Sequence, residues 1–208
     1  MFILISSVFS TATLALDYEG KIKLKRVIYK NISSSAELRM ATDFNAVLYR
    51  HIDIGTQAGF GEDWKIATHY RRIDRRSDAN QWQREDRFYL QAERLFSNID
   101  SNALRFLNLK IRNRIESRTR EIKEHAYRHR LRFKLKSKNM LYGVMKPFVS
   151  NEFYYDLQKH EYNVNRFDIG VDLGKVRNLK HSVYFKLKSK RNDNHWATKA
   201  SLVYKLEI

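Results

Sequence analysis

The chain has no cysteine, one proline and seven glycines among 208 residues. Without cysteine there is no disulfide, no thiolate metal site and no cysteine nucleophile, although this says little about compartment. A single proline, Pro147, and so few glycines leave no room for a long linker or a disordered module, and the length suits one domain. No stretch after the N-terminus gathers 18 apolar residues, so a membrane-spanning helix is excluded. Acidic residues are scarce: 23 Asp and Glu face 40 Lys and Arg, a formal charge of +17. Phosphate-binding P-loops, G-x-G-x-x-G turns and H-E-x-x-H zinc helices are absent.

What the chain does have is alternation. Arg128, Arg130, Arg132, Lys134 and Lys136 interleave with Tyr127, His129, Leu131, Phe133 and Leu135. Successive side chains of a strand point to opposite faces, so this segment reads as a strand with one basic and one largely apolar face. The same period recurs at 20–29, 34–45, 51–60, 64–71, 87–96, 107–116, 144–155, 166–173, 181–190 and 198–208. The runs 72–83 and 117–126 are charged without a period and read as loops, as does the polar stretch before Arg166. The run 112–132 is charged enough for a helix, but Leu107, Leu109 and Ile111 beside it alternate with period two.

Many strands with one basic and one apolar face suit an all-β, antiparallel transmembrane barrel, greasy outside and charged inside. Eleven segments alternate, whereas single-chain bacterial barrels have an even number of strands. Twelve strands are expected, an irregular partner near Asn45 to Tyr49 supplying the last; ten is the alternative. With Leu107, Leu109 and Ile111 outward, the opposite phase sends Lys110, Arg112, Arg114, Arg128, Arg130, Arg132, Glu152, Arg166, Asp168 and Asp172 into the lumen. An Arg or Lys on the lipid face would cost about 2–4 kcal/mol at midplane, which fixes the phase. Uncompensated buried charge is expensive, so Glu152, Asp168 and Asp172 are the expected partners of the arginines. A paired network filling the lumen is the favoured reading, and a constriction that attracts anions is the alternative.

Residues 1–16 carry no charge and end in small residues, with Thr13-Leu14-Ala15 as the peptidase site. The expected organisation is a signal peptide over 1–15 and one barrel domain over 16–208. The basic segment that commonly opens a signal peptide is missing.

The segments Tyr127-Arg128-His129-Arg130-Leu131-Arg132, Lys146-Pro147-Phe148-Val149-Ser150-Asn151-Glu152-Phe153 and Asn165-Arg166-Phe167-Asp168-Ile169-Gly170 resemble the DUF2490 family of uncharacterised bacterial proteins. The likeness is clearest from Leu104 to Gly174. It implies secretion and a β-barrel in the outer membrane of a Gram-negative bacterium, and it brings no established active site. Outer-membrane barrels commonly end in an aromatic residue, whereas this chain ends in Ile208.

The expected function is a structural or small-solute channel role. The expected partners are outer-membrane lipid, lipopolysaccharide and the barrel-insertion machinery, with a monomeric state, no cofactor, no metal and no nucleic acid. Asp193 with His195, and Asp53 with His51, are too sparse for a metal site. One alternative is an envelope enzyme acting on lipid, for which Ser150, His69 and Glu152 are the available nucleophile, base and orienter, although no strained nucleophile turn surrounds Ser150. A second alternative is a soluble basic sheet that binds nucleic acid.

Overall fold

Period-two alternation persists well beyond the segments in which it is easiest to read, because charged side chains on both faces find partners across neighbouring strands. The computed structural model describes residues 16–43, 46–77, 80–97, 105–121, 125–176, 179–192 and 195–208. Eleven strands follow one another: β1 Leu16–Tyr29, β2 Ile32–Thr42, β3 Val47–Phe60, β4 Trp64–Arg76, β5 Trp82–Phe96, β6 Leu107–Arg120, β7 Ala126–Ser137, β8 Met145–Asp156, β9 Glu161–Val176, β10 Leu179–Asn192 and β11 His195–Glu207. No helix occurs among the described residues. The expected signal peptide lies outside them.

Each strand pairs antiparallel with the next, and β1 closes the barrel against β11 in parallel, from Leu16 opposite Ala200 to Lys23 opposite Glu207. An odd number of strands requires one parallel seam, since chain direction alternates around the wall. This corrects the expectation of twelve. The segment near Tyr49, expected as a separate strand, is the start of β3, whose Tyr49 pairs with both Ala41 and Arg75.

Three expected loops also shrink. β4 continues to Arg76 and β5 begins at Trp82, leaving 77–81 as the connection. The charged residues there are held in register on the outer face: Arg50 Nε donates to Asp74 Oδ2 at 3.0 Å and Arg72 Nε to Asp86 Oδ1 at 3.2 Å. β6 runs on to Arg120 because its inward Arg118 and Arg120 reach Glu85 on β5, at 2.6 and 3.5 Å. β9 begins at Glu161 within the expected polar stretch, and its Val164 is buried inside the barrel.

The apolar core is small. Phe148, Tyr184 and Val203 pack together inside the wall, while Leu24, Leu38, Ile52, Ile54, Phe88, Leu90, Ile115 and Ile169 are all at least half exposed on the outside. Such a barrel is inverted relative to a water-soluble one: its exposed face is apolar and its buried face is charged.

Candidate functional site: the charged lumen

The inward phase of β5 to β9 carries the network. Glu116 on β6 and Glu152 on β8 are among the most deeply buried side chains, at 0% and 1% exposure. Around Glu116 stand Arg130 at 2.5 Å, Arg114 at 3.3 Å and Arg87 at 3.7 Å, together with Arg128 in a short contact. Around Glu152 stand Arg112 at 2.6 Å, Arg130 at 2.8 Å and Arg166 at 3.9 Å. Arg130 therefore bridges the two carboxylates, and its guanidinium also donates to the Tyr154 hydroxyl at 3.0 Å. Asp168 takes a bidentate fork from Arg166, at 2.7 and 2.8 Å, and one further bond from Arg132 at 3.0 Å. Paired forks of this kind are among the stronger charge-assisted hydrogen bonds, and they fix the orientation of both groups.

The ten residues expected in the lumen all lie on its wall, but they do not form a single cluster. Arg112, Arg114, Arg128, Arg130, Arg132, Glu152, Arg166 and Asp168 share the network at mid-height. Lys110 pairs instead with Glu93 at 2.8 Å, and Asp172 pairs with Lys136 and accepts from Ser182 at 2.7 Å. Other members escaped the sequence reading. Asp53 on β3 gathers Arg71 at 2.6 Å, His69 at 2.7 Å and Tyr89 at 2.5 Å. Glu19 on β1 is held by Arg39 and Lys186. Glu85 receives Arg87 and Arg118, each at 2.6 Å. All sit on the inward phase of their strands, so extending the alternation rule through every strand would have found them.

Ser150, His69 and Glu152 are not assembled for catalysis. Ser150 Oγ accepts from Arg132 at 2.8 Å and donates to Asp168 at 3.2 Å, while His69 is bonded to Asp53 on the neighbouring strand. Glu152 is occupied by arginines. Among the described residues, no group of three or more His, Cys, Asp or Glu side chains could hold a metal ion.

Two water-accessible cavities enter the lumen from opposite ends. The first, about 830 Å³, opens beside the start of β1 and the connection between β8 and β9. The second, about 760 Å³, opens at the end where β1 turns into β2. Arg39, Arg71, Arg130 and Arg166 line both, forming the septum between them. Charge is unbalanced throughout. The first vestibule is lined by 16 Lys and Arg against 6 Asp and Glu, so its carboxylates cannot neutralise its cations one for one.

A family model described as a protein of unknown function, DUF2490, matches residues 16–198. A solved structure described as NanC porin, in a rhombohedral crystal form, superposes with a TM-score of 0.51 at 11% sequence identity, covering 83% of this chain and 87% of that one. That likeness concerns the fold. No curated protein matches the chain in sequence.

Proposed function

We propose that this chain, which belongs to the DUF2490 family of proteins of unknown function, is an outer-membrane β-barrel that passes small solutes and favours anions. The observation that carries this reading is the pair of vestibules meeting at a septum of four arginines inside a wall with excess positive charge. Fixed charge along a pore wall governs which ions enter, and arginine keeps its charge under nearly all conditions.

The outer face supports a membrane setting. On β5 the outward residues between Asp86 and Arg94 are Phe88, Leu90 and Ala92, and this length of tilted strand spans about 20 Å, near the height of a lipid-facing band. Exposed aromatic residues mark both ends: Tyr29, Phe60 and Trp64 at one, Trp82, Tyr127, Tyr162 and Trp196 at the other. Aromatic belts of this kind suit the boundary between hydrocarbon and headgroups. Arg94 lies over the Trp64 ring at 5.2 Å, so its charge sits at a boundary rather than in the band. Polar residues on the outer face also pair off: His129 Nε2 and Asn113 Oδ1 are 2.6 Å apart. Lipid and lipopolysaccharide are the partners such a surface would meet.

A second reading is a structural barrel closed by its own ion pairs, favoured by the burial of Glu116, Glu152 and Asp168 beneath several arginines each. Fractionation of native cells tests the shared premise: the mature chain is expected in the outer membrane, migrating faster in gels when unheated. Recovery in the soluble fraction would overturn both readings. Swelling of proteoliposomes in isosmotic solutions of small anions separates them, since a closed barrel leaves the vesicles unchanged.

A further inference from the structure

Most cations in the first vestibule face a carboxylate. Lys186 and Arg39 are held by Glu19, Lys199 by Asp17, and Arg87 and Arg118 by Glu85. Two cations differ. Lys188 on β10 is half-buried and has no ion pair or hydrogen bond among the described residues, and the charged groups that weigh most on it are Arg75, Lys186, Arg128 and Arg87, all cations. Arg75 on β4 likewise makes no ion pair among the described residues and lies near the Tyr49 ring, 5.8 Å from its centre. β4 and β10 stand on opposite walls, five strands apart one way around and six the other. Two cations thus line the vestibule from opposite walls without an ion pair of their own, and Glu85, the carboxylate that weighs on Arg75, is already held by Arg87 and Arg118.

Like charges on facing walls repel, and nothing in the septum requires them here: the four septal arginines are other residues. We infer that Arg75 and Lys188, backed by Arg87 and Arg128, form a binding site for a multiply charged oxyanion, the chemistry shared by phosphorylated and polycarboxylate solutes. A single negative charge answers one of the two cations; an anion with two or more answers both. A planar guanidinium fits two oxygens of such a group in a fork, and the lysine ammonium acts as a point charge from the far wall. The inference deepens the channel reading by naming the solute class and the vestibule that captures it, but binding itself does not depend on conduction.

Calorimetric titration of the full barrel, folded in detergent, tests it with inorganic pyrophosphate, citrate and acetate as probes. Pyrophosphate or citrate is expected to bind one per barrel, with acetate at least tenfold weaker, and the stronger of the first two identifies the solute type. Lys188→Gln and Arg75→Gln should each weaken binding at least tenfold. Both remove repulsion between like charges, so the variants are expected to keep or raise the wild-type melting temperature, and lost binding cannot then be put down to misfolding. Lys65→Gln, in the other vestibule, should bind as wild type. Absence of binding, or equal weakening in all three variants, would overturn the site. A barrel that binds pyrophosphate but does not conduct would refute the channel and leave the site standing; one that conducts without binding would do the reverse.

Discussion

Glu152 accepts Arg130 along both edges of its carboxylate, Nε to Oε1 at 3.2 Å and Nη2 to Oε2 at 2.8 Å, while Arg112 adds a 2.6 Å bond to Oε1. A buried carboxylate shared in this way cannot be neutralised without leaving arginines uncompensated. Breaking a buried pair from one side costs about 3–5 kcal/mol. Glu152→Gln is therefore expected to lower the unfolding free energy of the folded barrel by about that much, measured by urea titration in detergent or lipid. Asp168→Asn should act in the same direction. A barrel indifferent to both changes would mean that the network does not hold the wall together.

Gly170 faces Tyr184 across the β9–β10 pair, and a Cβ at Gly170 would lie 2.2 Å from the tyrosine Cβ and 2.3 Å from the Val183 carbonyl oxygen. The Val183 oxygen and the tyrosine Cα, 2.6 Å from that Cβ, are backbone, which cannot swing aside as the end of a flexible side chain can. Gly170→Val should destabilise the barrel by roughly 1–3 kcal/mol through overpacking. Gly20→Ala, where nothing lies within 4 Å, should be tolerated. Comparing the two melting temperatures checks the packing directly.

Leu109 and Lys110 are neighbours in sequence that point to opposite faces. Leu109 sits opposite Leu135 on the outer face, and Lys110 reaches Glu93 in the lumen. Leu109→Arg is expected to disfavour insertion into lipid by about 2–4 kcal/mol if the site lies near midplane, whereas Lys110→Ser should be milder. Refolding yield into vesicles of defined lipid reads the difference. Equal tolerance would place the β6 outer face away from hydrocarbon.

Alternation made the barrel legible in the sequence, down to which face of β6, β7 and β9 carries arginine. It failed at the strand ends. There Arg72, Asp74, Arg84 and Asp86 place charge on the outer phase, so the pattern loses its contrast although the strand continues. Cross-strand partners, which the sequence does not reveal until register is known, keep those residues in the sheet. The parallel seam between β1 and β11 has no local signature either, because it depends on the number of strands rather than on any residue in them. Within the lumen, Glu152 and Asp168 were recognisable as counter-charges. Asp53 and Glu19 share that inward phase, but the pairing of Glu19 was hidden, because Lys186 reaches it only across the seam that forms when the barrel closes.

The central claim is that the cationic lumen forms a path that favours anions, and the reversal potential of single barrels in a planar bilayer under a potassium chloride gradient tests it most directly. The account predicts a measurable conductance whose reversal potential lies toward that of chloride, and which shifts toward that of potassium when Arg39 and Arg71 of the septum are both changed to Gln. A folded, inserted barrel with no conductance, or one selective for potassium, would contradict it.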